Sequence, residues 1–327
     1  MKSLRRVLKF AGLLAICTPA IAQQAPSAAW PARPLRVIVS QAAGGAPDII
    51  CRLIADRLSR SLGQPVLVDN RPGSGNIVGA QAAARATPDG YTMFFATAAA
   101  LVTNPHTFKT LPYDPERDFV PVAMIAKGPF LLLAHPGVPA KTLPELIAYE
   151  RANPGKLAFA TDGARNFSGM VAAWLNKLMG TQILAVPYAS MPQGVQDTLA
   201  GRTQLVILAV PAAAPFVRRG ELRALAETFA RRIPGYEDVP AVAETFTGFE
   251  FIGWFALVAP AGTPADVVQR MNREVDKVLR DAEVSQRLET LGFHSGGAET
   301  PEATGLFIRR ELASWGRVVK EIGLQPE

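Results

Sequence analysis

Val37-Ile-Val-Ser-Gln-Ala-Ala-Gly-Gly-Ala-Pro-Asp48, continued by Ile49-Ile-Cys-Arg-Leu-Ile-Ala-Asp-Arg-Leu-Ser-Arg-Ser-Leu62, reads as a buried strand, a loop of small residues and a helix. The β-branched Val37, Ile38 and Val39 specify the strand. Ile49, Ile50, Leu53, Ile54, Leu58 and Leu62 recur at helical spacing and predict one apolar stripe. Pro47 suits a first helical turn, where its missing N–H is no loss, and Asp48 follows where the positive end of the helix dipole favours an acid. Ala42 to Ala46 therefore lies beyond a strand end and against a helix N-terminus. Gly44 and Gly45 carry no Cβ to keep a ligand from their amides, so the loop is a candidate cradle for an anion. Glycine pairs also occur in turns for steric reasons alone. No Gly-Lys-Ser/Thr follows and no Gly-x-Gly-x-x-Gly is present, which excludes the common nucleotide loops and leaves a smaller anion such as a carboxylate.

Downstream, Val66-Leu67-Val68 predicts a second strand, Asp69 to Asn76 a loop of turn formers, Ile77 to Arg85 a small-residue helix, and Tyr91 to Ala96 a third strand. This alternation predicts a parallel sheet with right-handed crossovers. Ligands of such sheets sit beyond the carboxyl ends of the strands, which selects Gln41 to Ala46 together with Thr97 to Asn104. Two apolar runs, Val120 to Ala126 and Phe130 to Ala134, lead to a second alternation. Its predicted strands are Leu157 to Thr161, Ile183 to Val186, Gln204 to Ala209 and Leu222 to Glu227. Its predicted helices are Leu143 to Arg151, Ser168 to Met179, Gln193 to Leu199 and Ala212 to Arg219. Phe251 to Pro260 returns as a strand, followed by helices over Ala265 to Arg280 and Glu302 to Ile322. Late helices of this kind pack back on the first unit, so two crossings are expected, near Ala126 and near Gly248, forming a hinge.

The first nine residues hold Lys2, Arg5, Arg6 and Lys9 ahead of a short apolar core and Pro19-Ala20-Ile21-Ala22, which reads as a secretory signal over residues 1–22. Ile16 is bulky beside Cys17 where a lipoprotein peptidase wants a small residue, so cleavage after Ala22 is expected, with a mature chain starting near Gln23 and no membrane insertion. Without those four charges, 30 basic residues face 28 acidic ones and the formal charge falls from +6 to +2. Arg218, Arg219, Arg231 and Arg232 pair up without interleaved aromatics, so nucleic acid is not an expected partner. Cys51 loses its only possible partner with the signal and reads as a small buried residue. About 305 residues is more than one compact core usually holds, which favours two domains.

Catalysis needs converging groups, and few exist. His106, His135 and His294 lie far apart without metal-ligand spacing, and no Gly-x-Ser-x-Gly elbow occurs. Ser168 reads as a helix N-cap first and a ligand contact second. No enzyme activity, cofactor or metal is expected.

The motifs Ala43-Gly44-Gly45-x-x-Asp48-x-x-x-Arg52, Val68-Asp69-Asn70-Arg71-Pro72-Gly73-x-Gly75, Pro88-Asp89-Gly90-Tyr91-Thr92, Leu111-Pro112-Tyr113-Asp114-Pro115, Val186-Pro187-Tyr188 and Trp254-Phe255-x-Leu257-x-Ala259-Pro260-Ala261-Gly262-Thr263-Pro264 occur in that order. This set resembles the tripartite tricarboxylate transporter substrate-binding proteins, the Bug-type receptors. The resemblance implies an α/β, type II periplasmic binding protein. Two α/β lobes joined by a two-crossing hinge would close on a small organic acid and deliver it to membrane permease subunits or to a sensor protein. With the crossings above, lobe 1 is expected to hold 23–126 and 249–327, and lobe 2 to hold 127–248, in a monomer.

Carried over by the resemblance, ligand-binding residues fall in lobe 1 on Ala43, Gly44 and Gly45, with Ala46 and Asp48 beside them, and on Thr97 and Ala98. In lobe 2 they fall on Asp162, Asn166, Phe167 and Ser168, on Tyr188, Ala189 and Ser190, and on Leu208 and Ala209. The sequence departs from the family pattern there. Members carry Ser/Thr and His near Asn166 and Phe167, Lys-Gly at Ala189 and Ser190, and Asp-Asn at Leu208 and Ala209. The more apolar set here favours a ligand with a carboxylate head and an apolar or aromatic body. The rival reading is a secreted α/β enzyme acting on a small acid, which would show turnover.

Overall fold

The structure is a computed structural model. It describes residues 30–327 apart from 165, 166, 189, 231 and 234, and the backbone alone at residue 74. The signal over residues 1–22 with Cys17, and the candidate residues Asn166 and Ala189, lie outside the described residues, as does Arg231.

The elements run β1 (Leu35–Val39), α1 (Ala46–Leu62), β2 (Val66–Asn70), α2 (Ile77–Ala84), β3 (Thr92–Thr97), a π-helical turn (Ala99–Thr103), α3 (Asn104–Thr107), β4 (Phe119–Ala134), α4 (Leu143–Ala152), β5 (Ala158–Thr161) and α5 (Phe167–Met179). They continue β6 (Leu184–Pro187), α6 (Met191–Leu199), β7 (Leu205–Ala209), α7 (Val210–Arg218), β8 (Arg223–Glu227), α8 (Val242–Thr245), β9 (Ile252–Pro260), α9 (Ala265–Leu279), α10 (Ala282–Thr290) and α11 (Pro301–Glu321). The strands join in the order β2-β1-β3-β9-β4-β7-β5-β6, with β8 also on β4.

The opening stretch forms as its pattern dictates. Leu35, Val37 and Val39 face one side of the sheet and meet Ile50, Cys51, Ile54 and Leu58 of α1 with Val268 and Met271 of α9. Ile38 points to the other side, among Ala80, Leu101, Phe307 and Trp315. Helices on both faces explain why these strands are apolar at successive positions rather than alternating. Ile49 departs from the expected stripe: it lies on the exposed side of the first turn of α1, and Leu53 is only half-buried. Cys51 is buried within α1, and burial pushes its thiol well up.

Three expectations are corrected. The first sheet is not purely parallel, because β1 pairs in parallel with β2 and β3 but β9 runs antiparallel between β3 and β4. The two apolar runs at 120–134 are one 16-residue strand, interrupted in register but not in extension. Helices α8 and α10 and the turn Ala99–Thr103 were not anticipated. The start of α10 is fixed by the Asp281 carboxylate, which accepts from the Val284 N–H at 3.1 Å, satisfying one of the free amides of a helix end.

That long strand organises the molecule. From Phe119 to Pro129, β4 pairs with β9; from Phe130 to Ala134 it pairs with β7 and β8. The second strand of chain between the two sets of elements leaves β8, where Thr228 N–H donates to Phe130 O at 2.9 Å. It re-enters at Phe251, whose N–H donates to Thr228 O at 2.8 Å. The two connections thus run side by side.

Candidate functional site

Register alone fixes which loops face each other. Val39 of β1 is level with Phe95 of β3, and Thr97 at the end of β3 pairs with Phe255, which pairs with Ala126 of β4. In the other lobe β5, β6 and β7 are mutually parallel, and Ala209 at the end of β7 pairs with Phe130 of β4. Ala126 and Phe130 are four positions apart, roughly 13 Å along a strand. The carboxyl ends of the parallel strands of both lobes therefore point at the same crossing, from opposite sides.

On the lobe 1 side, Gly45 is the extended N-cap of α1 and Pro47 occupies its first turn. Gly44 has a φ of +85°, a left-handed conformation that favours glycine, and the space where its Cβ would stand is open. The expectation that the Gly44 amide faces an incoming anion is not met in this conformation. Its N–H donates to Asp48 Oδ2 at 2.8 Å, while Asp48 Oδ1 accepts from Asn70 Nδ2 and Arg52 Nε, each at 2.9 Å. Burial pushes the Asp48 carboxyl up, but the bonds from Arg52, Gly44 and Asn70 outweigh it and hold the group below its ordinary value. Asp48 thus sits behind the loop and shapes it. Asn70 Nδ2 also donates to Gln41 O at 3.0 Å, and Gly45 N–H reaches back to Ala42 O at 3.4 Å. Ala43, Gly44 and Ala46 remain exposed, and the amides of Ala43 and Ala46 have no partner among the described residues.

Thr97 and Ala98 are buried at the end of β3, and Thr97 Oγ1 accepts from Ala100 N–H at 3.3 Å. The chain then enters the π-helical turn, a geometry that recurs at functional sites. Asn104, just after it, donates to Gly75 O at 2.8 Å, and Ser40 Oγ, just after β1, donates to Asn76 Oδ1 at 2.9 Å. These bonds tie the three lobe 1 loops together. Sequence reasoning missed Ser40 and Asn76, included Asn104 only as the end of the loop Thr97 to Asn104, and quoted Asn70 and Arg52 only as parts of motifs.

On the lobe 2 side, Ser168 lies one residue inside α5 rather than at its N-cap. Its hydroxyl donates to Asp162 Oδ1 at 2.6 Å and accepts from Asp162 N–H at 2.9 Å, and its own N–H donates to the same carboxylate oxygen at 3.1 Å. Asp162 thereby holds the amino end of α5 through a charge-assisted bond. The Tyr188 hydroxyl donates to Asp197 at 2.8 Å, and its backbone N–H donates to Thr161 O at 2.8 Å, fixing the loop after β6. Ser190 is exposed; Leu208 is buried and Ala209 half-buried. The ring of Phe167 packs on Phe130 at 4.4 Å and on Phe251 at 4.0 Å between centroids. Those are aromatics of the two crossing segments, so Phe167 touches both.

His294 exchanges backbone hydrogen bonds with Lys127 of β4, and the other two histidines bond other segments. His106 Nε2 bonds Leu312 O at 2.8 Å, and His135 Nδ1 accepts from Gly137 N–H at 3.1 Å. Arg219 is paired with Glu221 and Arg232 with Glu244, as expected of solvated faces. Among the described residues no group of three or more His, Cys, Asp or Glu could hold a metal ion, and no helix is long and apolar enough to cross a membrane.

Residues 50–324 match the family described as tripartite tricarboxylate transporter family receptor. The chain is 33% identical over 323 residues to protein BugT of Bordetella pertussis, covering 98% of each sequence. Among solved structures, an R. palustris protein determined with adipate aligns with a TM-score of 0.78 at 33% identity, over 91% of this chain and 100% of that one. MatC from Rhodopseudomonas palustris with bound malate aligns with a TM-score of 0.74 at 31% identity, over 89% of this chain and 100% of that one.

Proposed function

The chain belongs to the tripartite tricarboxylate transporter receptor family, and on that premise we propose that it is a periplasmic receptor whose lobes close on a small carboxylate with an apolar or aromatic body. The observation that carries this reading is the convergence of both sets of strand ends on the paired crossing segments. The family fold is the two-lobed α/β type with a hinge, and its members are solute-binding receptors. For this chain we assign 23–126 and 249–327 to lobe 1 and 127–248 to lobe 2, after removal of 1–22 as a secretory signal. Membrane permease subunits are the proposed recipients of the ligand.

In this reading the exposed rim at Ala43 to Ala46, with Thr97 and Ala98 beside it, receives the carboxylate, and Asp48 keeps the rim in shape from behind. Phe167, Leu208 and Ala209 line the facing wall and meet the ligand body, while Asp162, Ser168, Tyr188 and Ser190 set the loops around it. Asn166 and Ala189, outside the described residues, are proposed for the same site. Each charge-assisted bond contributes about 1.5–3 kcal/mol net. Two or three of them with burial of an apolar body reach the roughly 8 kcal/mol of a micromolar complex. Contacts made only when lobe 2 arrives shift the population toward the closed form.

Mass spectrometry of acids that co-purify with the mature protein, checked by thermal shift, tests the reading. A true ligand at about 100 times its Kd stabilises the protein by about 2.7 kcal/mol. Gly45→Leu is the clean control. Gly45 has an ordinary φ of −74° and its added Cβ would come no closer than 3.5 Å to any atom, so the variant folds while its side chain covers the rim. Loss of the ligand-induced shift is expected, and a folded Gly45→Leu that still binds would remove the rim from the site.

A further inference from the structure

Asn76 is a residue of the lobe 1 rim that the loop motifs did not single out. It is one of two non-glycine residues with positive φ among the described residues, at +75°. Such a conformation costs of order 1 kcal/mol or more and persists only where the surroundings impose it. Here they do so from three sides. The buried Ser40 hydroxyl at the end of β1 donates to Asn76 Oδ1 at 2.9 Å. Asn104 Nδ2, beyond the end of β3, fixes the preceding carbonyl of Gly75 at 2.8 Å. Gly79, one turn into α2, lies so close that an added Cβ would stand 2.7 Å from Ser40 Cα.

In this structure the Oδ1 end of the side-chain amide faces the Ser40 hydroxyl, which leaves its nitrogen outside that bond. Its two N–H donors, on a half-buried residue, have no partner among the described residues. An amide nitrogen offers donors only, so it recognises an acceptor, and its place between the ends of β1 and β3 is where the receptor reading puts the ligand carboxylate. We propose that Asn76 contacts the ligand directly, its side-chain N–H donating to a carboxylate oxygen, with Ser40 and Asn104 as the residues that position it. The proposal rests on the carboxylate-receptor reading and adds to it a side-chain contact among otherwise main-chain donors. It also explains why a residue with a Cβ occupies a left-handed position that glycine would hold at lower cost.

Calorimetric titration of adipate, malate and benzoate into the mature wild type, Asn76→Asp and Asn76→Gly tests it. Both replacements tolerate a left-handed backbone, and Asp keeps the acceptor for Ser40, so both are expected to fold with a Tm near that of the wild type. For any acid that the wild type binds, Asn76→Gly weakens binding about tenfold or more, the loss of one hydrogen bond to a charged acceptor. Asn76→Asp weakens it further, because a carboxylate then faces a carboxylate. Binding within about twofold of wild type in both variants overturns the assignment of Asn76 alone and leaves the receptor intact. A wild type that binds none of the three acids overturns the carboxylate reading, and the contact at Asn76 with it.

Discussion

Gly169→Ala destabilises this protein by about 2–4 kcal/mol, although a glycine-to-alanine change inside a helix ordinarily gains up to about 1 kcal/mol. Gly169 lies in the first turn of α5, and a Cβ built there would stand 2.0 Å from the carbonyl oxygen of Gly163 and 3.0 Å from Cα of Ala164. Both obstacles are backbone, so no side-chain rotation relieves them. Either the helix end or the loop after β5 must move. That loop carries Asp162, whose carboxylate holds Ser168 at 2.6 Å, and displacing it opens those bonds and shifts Phe167 off the crossing aromatics. Urea denaturation reads the stability change and calorimetry the ligand affinity, which falls together with it. A Gly169→Ala variant as stable as the wild type would mean that the close approach of α5 to its loop is not a feature of the folded protein.

The β1–α1 unit could be read because its signals are local: a β-branched run, a proline suited to a first turn, and apolar positions at helical spacing. Strand direction around β9 and β4 was not legible. A strand buried on both faces is uniformly apolar whether its neighbour is parallel or antiparallel, and pairing partners are chosen at long range. Gly44 illustrates a second limit. Its lack of a Cβ marks a loop of special conformation, but whether its N–H faces a ligand or the Asp48 carboxylate depends also on Asn70, which reaches Asp48 from β2 only in the folded chain. Asn76 was hidden in a run of turn formers, and what distinguishes it is the bond from Ser40, 36 residues earlier, to its side chain. The contact of Phe167 with both crossing segments was not legible either, because it comes from the return of the chain at Phe251.

Glu227, at the end of β8 beside one of the crossings, makes the stability of this protein fall as pH rises from about 4.5 to about 7. The side chain is fully buried. Its Oε2 accepts from Ile233 N–H at 3.0 Å, and its Oε1 has no hydrogen-bond partner among the described residues. Burial pushes the carboxyl up to about 7 from an ordinary 4.5; the Ile233 bond and Arg232 oppose the rise, and Glu244 and Glu237 add to it. Arg232 cannot neutralise Glu227 fully because its guanidinium is already gripped by Glu244 at 2.8 Å through two bonds. Between the two values the native carboxyl keeps a proton that the unfolded chain has released, so the unfolded state binds fewer protons and each upward step in pH favours it. Below 4.5 both states are protonated and the group contributes nothing. Above 7 both are ionised and the cost levels off at no more than about 3.4 kcal/mol. Glu227→Gln, which keeps an acceptor for Ile233 and cannot ionise, removes that slope. Its stability relative to wild type rises by about 1–3 kcal/mol from pH 5 to pH 8, whatever fixed cost its buried N–H adds at both. Other raised carboxyls, Glu311 among them, are common to both proteins and cancel in the difference. Equilibrium denaturation of the pair at the two pH values decides the matter, and a difference independent of pH would show that the Glu227 carboxyl is already ionised in the folded protein at pH 5.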